Sequence, residues 1–160
     1  MDDRENLLKA LNYAYFYLKF RPRSKKELTD YLNKKAKRWK WPEELVGQAI
    51  KELEELGLID DKKFIEWFVE QRSAIKPKAV FILKRRLAQF GVPKETVYEY
   101  FESNQMDESE MALKAIKFRW QQWKSLDKQE RFKKVAGFLT RRGFRYDIIK
   151  KTIANLEEKE

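Results

Sequence analysis

The sequence contains no cysteine and no histidine among its 160 residues, and only five glycines and four prolines. Without thiolate or imidazole side chains the chain offers no zinc site of the usual ligand types, no cysteine nucleophile and no histidine base. Disulfides are excluded as well. The longest apolar and aromatic run, Tyr13 to Leu18, falls far short of the roughly 18 residues a membrane span requires. Met1-Asp2-Asp3-Arg4 opens an acidic segment where a secretion signal has a basic stretch followed by an apolar one. A cytoplasmic protein without cofactors is expected. Scarcity of glycine and proline, with Ala, Leu, Glu, Lys, Arg and Gln filling the segments between them, predicts helix throughout. Apolar residues at 42% suffice for a packed core.

Charge is present in abundance and unevenly. Thirty-six basic against 26 acidic residues give a formal net charge of +10, a balance that favours polyanionic partners and is silent about fold. Residues 19–41 hold ten basic and two acidic residues, 42–61 one and seven, 72–94 seven and none, 95–111 none and six, and 114–145 eleven and two. The sign alternates on a scale of about fifty residues, which points to an internal repeat.

The repeat is visible in the apolar residues. Leu87-Ala88-Gln89-Phe90-Gly91-Val92 aligns with Leu139-Thr140-Arg141-Arg142-Gly143-Phe144, which sets Leu83 over Val135 and Val97 over Ile149. In the first unit Leu28, Leu32 and Ala36 lead to Trp41 and Val46 once an additional Lys37-Arg38-Trp39-Lys40 is allowed. Leu32, Leu87 and Leu139, 55 and 52 residues apart, are therefore predicted to be equivalent buried positions. Leu7, Leu11, Ala14 and Leu18 share one face of a first helix. Ser24 with Glu27 and Asp127 with Glu130 fit the capping box, in which side chain and amide satisfy each other across three residues, and so start second helices. Asp60 is predicted to cap another helix, with Ile59 and Phe64 as a hydrophobic staple. Gly57, Gly91 and Gly143 mark helix ends in the left-handed conformation, and Pro42 and Pro93 suit the first turn of the helix that follows.

The prediction is an all-α fold of three tandem three-helix, helix-turn-helix-like repeats, elongated or gently curved: residues 1–59, 60–107 and 108–160. A helix-turn-helix module sets its last helix in the major groove. Here Glu43, Glu44, Glu52, Glu54 and Glu55 in the first repeat, and Glu95, Glu99 and Glu102 in the second, would repel phosphate. The third repeat, with Arg145, Lys150 and Lys151, is the better place for direct DNA contact.

Most charged residues on a helix face are simply hydrated. Lys84, Arg85 and Arg86, beside Leu83 and Leu87 and preceded by Lys76 and Lys78, depart from that pattern because no acid lies between residues 72 and 94. The 23 aromatic residues are mainly core, with Phe64, Phe68, Trp120, Trp123 and Phe144 on apolar stripes. Tyr13, Phe16, Tyr17 and Phe20 make a second stripe on the first helix, which needs a partner either within the chain or outside it. Trp39, in the inserted basic segment, is the aromatic candidate for contact. Asp60 and Asp61 look like paired acids, but their place at a helix start favours capping over chemistry, and no phosphate-binding loop occurs. No enzyme activity is expected.

Four motifs run along the chain: Arg21-Pro22-Arg23-Ser24 with Glu27-Leu28 and Leu32; Leu58-Ile59-Asp60-Asp61 with Phe64, Phe68 and Arg72; Lys76-Pro77-Lys78 leading to Leu83, Leu87 and Gly91-Val92; and Phe138-Leu139-Thr140-Arg141-Arg142-Gly143-Phe144 with Asp147. In this order they resemble the opening, central and closing motifs of the RecX regulators of the RecA recombinase. Ala79, expected to open the second helix of the middle repeat and to favour helix there, stands where the family usually has glycine, Arg86 where it often has glutamate, and residues 37–40 are inserted. The resemblance implies a non-enzymatic, cofactor-free regulator, monomeric, lying in the groove of the RecA filament on single-stranded DNA and restraining ATPase and strand exchange. The alternative is a stand-alone nucleic-acid-binding protein. The expected contact residues are Arg21, Arg23, Trp39, Arg72, Lys76, Lys78, Lys84, Arg85, Arg86, Arg141, Arg142 and Arg145.

Overall fold

A computed structural model describes residues 2–159, apart from the side chain of Ile75. Nine helices and no strand occur among the described residues: α1 (Asp3–Leu18), α2 (Lys25–Trp39), α3 (Leu45–Glu55), α4 (Asp61–Ile75), α5 (Val80–Gln89), α6 (Lys94–Ser103), α7 (Glu108–Trp123), α8 (Lys128–Arg141) and α9 (Tyr146–Glu158). They form three tandem three-helix repeats. Leu32 on α2, Leu87 on α5 and Leu139 on α8 are fully buried, as the repeat register predicts.

Helix starts follow the capping chemistry. Ser24 accepts from the Glu27 amide at 3.1 Å while its own amide donates to Glu27 Oε1 at 3.1 Å, completing the predicted box. Asp127 accepts from the Glu130 amide at 3.0 Å. Asp60 caps α4 through the Lys62 and Lys63 amides at 2.9 and 3.4 Å. Two boundaries shift from expectation. Pro42 precedes α3 by a turn, its carbonyl accepting from the Leu45 amide, so Glu43 and Glu44 lie ahead of that helix. Ala79 sits just before α5 and is buried, so its methyl contributes to packing and not to helix propensity. The inserted Lys37-Arg38-Trp39 extends α2, and Lys40 closes it at φ 54°.

Backbone contacts divide the chain into two compact units, Met1–Trp67 with Leu87–Tyr100, and Phe68–Arg86 with Phe101–Glu160. The middle repeat thus contributes to both. In the first unit α1 packs on α2 and α3 around Ala10, Ala14, Leu28, Leu32, Ala49 and Leu53. In the second, α7 packs on α8 and α9 around Ala112, Ile116, Trp120, Val135, Leu139 and Phe144, and Ala79 joins that cluster. Removal of the larger of these side chains from water, each contributing roughly 1.5–3 kcal/mol, is the main source of stability.

Candidate functional site

Within the second unit, the start of α5 is tied to the end of α8. The Ala79 amide donates to the Arg142 carbonyl at 3.0 Å, and Arg142 Nη1 donates to the Pro77 carbonyl at 3.4 Å. Gly143 follows at φ 90°, and a Cβ there would stand 2.3 Å from Ile82 Cδ1. Two basic segments far apart in sequence, Lys76–Lys78 and Arg141–Arg142, therefore meet at one joint.

Arg142 is the best-positioned cation of the set. Its guanidinium lies 4.5 Å from the Phe138 ring centre. Burial, and secondarily the neighbouring Arg119, push its pKa down. Arg142 lines a depression of about 340 Å³ together with Lys114, Arg119, Phe118, Phe138, Ser73 and Pro77. That lining has three cations and no carboxylate. Phe118 is 81% exposed and offers a bare ring face beside the charges. Lys114, Phe118 and Arg119 were not singled out from the sequence. Their signal was the acid-poor stretch 114–145, but only the fold brings α7 beside Arg142.

Lys84 and Arg145 line a second depression, of about 310 Å³, with Val80, Phe81, Gly143 and Glu108. Glu108 corrects the expectation that this basic surface has no acid near it: none is near in sequence, and one arrives from α7. Lys84 also lies 5.4 Å from the Phe101 ring centre. Arg85, Arg86, Lys76, Arg141 and Arg145 are exposed, and Lys78 is half-buried. Arg72 is half-buried with its guanidinium 5.4 Å from the Phe68 ring centre.

The predicted residues of the first unit are placed differently. Arg21 pairs with Glu27 through both nitrogens, at 2.5 and 3.2 Å, and donates to the Pro22 carbonyl. Arg23 covers the Tyr17 ring at 3.8 Å, donates to the Tyr17 carbonyl and approaches Glu27 at 3.9 Å. Both charges are engaged within the fold. Trp39 donates its indole N–H to Tyr13 Oη at 3.0 Å, and Lys9 Nζ stands 3.0 Å over its ring. One face of that indole is thus occupied from α1.

Asp60 and Asp61 do not act as a pair. While Asp60 caps its own helix, Asp61 accepts from the Lys25 amide at 3.0 Å, an open donor at the start of α2. Burial raises the Asp61 pKa, opposed by that hydrogen bond and by Lys25, and reinforced by Asp60 and Glu54. Among the described residues no group of three or more acids is arranged to hold a metal. Among the described residues no helix is long and apolar enough to cross a membrane.

Fold and site together define a tandem three-helix-repeat protein whose second unit gathers cations around aromatic rings. Two family models match it: RecX, first three-helix domain, over residues 10–53, and RecX, third three-helix domain, over residues 107–153. The regulatory protein RecX of Chlorobium phaeobacteroides is 34% identical over 145 residues, covering 91% of both chains. That of Prosthecochloris aestuarii is 31% identical, covering 92% of this chain and 93% of the relative. The chain belongs to the RecX family. Against the regulatory protein RecX of Oceanobacillus iheyensis, 27% identical, it spans 58% of the relative's length. The crystal structure of RecX from Lactobacillus salivarius superposes with a TM-score of 0.78 at 23% identity, covering 96% of this chain and 98% of that one. This likeness is one of fold.

Proposed function

We propose that this chain is a non-catalytic regulator that binds the RecA nucleoprotein filament on single-stranded DNA and restrains its ATPase and strand exchange. The carrying observation is the acid-free depression around Lys114, Arg119 and Arg142, at the joint that also brings in Lys76 and Lys78. Such a cation excess is satisfied by a polyanion whose phosphates release counterions on contact, so binding weakens as salt rises. Acidic faces on α3 and α6 give the chain both signs of charge, which suits a filament that offers protein and DNA together. Its relatives are named regulatory proteins and carry no enzyme name.

The test is the ATPase of RecA on single-stranded DNA, titrated with this chain at concentrations that leave bare DNA unbound. Inhibition is expected there. Changing Lys76, Lys114 and Arg119, exposed cations at and beside that depression, together to Ala should raise the half-inhibiting concentration about tenfold, equivalent to about 1.4 kcal/mol. The matched change of Glu52, Glu54 and Glu55 should have a smaller effect. If the acidic triple weakens inhibition more, or if salt has no effect, the basic face is only a hydrated surface.

A second reading, a stand-alone nucleic-acid-binding protein, is favoured by the open Phe118 ring beside Arg119, since a base stacks on such a platform with a phosphate near the cation. It predicts stable complexes with bare single-stranded DNA and no separate effect on the recombinase.

A further inference from the structure

The second aromatic stripe of α1 splits in the folded chain. Tyr13 packs toward Trp41 with ring centres 6.3 Å apart, and Tyr17 stacks on Tyr31 at 4.1 Å. The outer face remains uncovered: Leu8 is 57% exposed, Tyr15 42%, Phe16 59% and Phe20 66%. Phe16 and Phe20 meet edge to face at 5.2 Å, so the apolar surface is continuous there.

This face has its own periodicity. Glu5, Leu8, Asn12, Phe16 and Lys19 follow one another at steps of three and four, the spacing of one helix face, with Tyr15 beside Phe16. Lys19 is still in helical geometry at φ −60°, ψ −32°. Glu5, Asn12 and Lys19 are exposed. Among the described residues neither Glu5 nor Lys19 has an ion pair within the chain.

The order along the seam is acid, apolar, amide, aromatic, base, and it is self-complementary when reversed. Antiparallel pairing of two copies about Asn12 sets Leu8 of each opposite Phe16 of the other, and Glu5 of each opposite Lys19 of the other. The two helix dipoles then oppose as well. An identical patch that matches its own reverse is what a two-fold interface requires.

We propose that the outer face of α1 is a docking surface for a second copy of this chain, joined antiparallel about a two-fold axis at Asn12. This departs from the monomer expected from the sequence. Taking about 200 Å² for a whole large side chain, the four apolar residues hide about 450 Å² per copy. Two such patches fall below the roughly 1,200 Å² of a stable interface. The dimer is therefore weak and reversible, and its affinity depends on the charges at both ends.

Sedimentation equilibrium on the full chain should show the mean mass rising from one chain toward two between roughly 10 µM and 1 mM. Glu5→Lys creates two like-charge contacts and should weaken association about tenfold, whereas Glu5→Lys with Lys19→Glu should restore it. Phe16→Ala should abolish it. Because the chain has no cysteine, Asn12→Cys places a single thiol at the axis, and a short bis-maleimide should link two copies at least tenfold faster than it links Asn33→Cys, on the exposed surface of α2. A mass of one chain at every concentration, equal linking rates for the two cysteine variants, or failure of the double charge reversal to restore association would each overturn the proposal.

Discussion

The joint between the first and middle repeats and the joint between the middle and third use the same positions with different donors. In the first, Ser24 Oγ donates to the Phe90 carbonyl at 2.6 Å. In the second, the Ala79 amide donates to the Arg142 carbonyl at 3.0 Å. Ser24 and Ala79 each lie four residues before a buried leucine, Leu28 and Leu83, and Phe90 and Arg142 each precede a left-handed glycine. The reason for the exchange is local. Glu27 takes the Ser24 amide in the capping box, so only the hydroxyl is left to reach across. Three residues after Ala79 stands Ile82, which accepts nothing, so the amide itself makes the crossing. A repeat architecture conserves the geometry of a joint and leaves open which atom supplies the bond.

The joints differ more in charge. Glu27 draws in Arg21 and Arg23 at the first. At the second, Arg142 is half-buried beside Arg119 with its pKa pushed down. The first joint is electrostatically closed and the second incomplete, which is why the second is the candidate site.

The largest effects should come from the joint glycines. At Gly91, φ 81°, a Cβ would stand 2.5 Å from Lys26 Cβ, and at Gly143 2.3 Å from Ile82 Cδ1. Left-handed strain and overpacking together should cost about 2–4 kcal/mol for either alanine variant, read by urea unfolding. Gly91→Ala should be the worse, because Lys26 Cβ is fixed to the backbone of α2 and Ile82 Cδ1 can rotate away. Equal loss at the two sites would mean that the first joint opens to admit the methyl.

Ser24→Ala removes a cap and the bond to Phe90 at once and should cost about 2 kcal/mol in the same measurement. An effect no larger than an ordinary cap would show that the contact to Phe90 contributes nothing net. Gly57→Ala isolates the backbone contribution: φ is 74° with open space around the new Cβ, so about 1 kcal/mol is expected.

The smallest effect concerns Asp61. Burial raises its folded pKa above the unfolded value, so the folded state holds the proton more tightly. Its contribution is then fully present below the unfolded pKa and is lost as pH rises through the folded one. Asp61→Asn should flatten that part of the stability profile relative to the parent chain, by a few tenths of a kcal/mol, because the half-exposed site is screened. A steeper decline in the variant would reverse the sign.

Helix positions were legible because apolar spacing, caps and glycine stops act within a few residues. The buried leucines followed from the 55- and 52-residue register. The aromatic stripe on α1 was legible as a stripe, but its division into covered Tyr13 and Tyr17 and uncovered Phe16 and Phe20 depended on where Trp41 and Tyr31 arrive. Trp39 read as an unattached aromatic because its partners, Lys9 and Tyr13, lie on another helix.

The sequence by itself determined the helices, the three-repeat plan and the sign of each segment, since propensity, capping and periodicity are local properties. Only the tertiary structure decided which charges are balanced. Glu108 reaches the depression lined by Lys84 across 24 positions of sequence, and Lys114, Arg119 and Arg142 converge without any acid. Electrostatic interaction depends on distance in space, and the chain's own spacing carries no record of it until the helices pack.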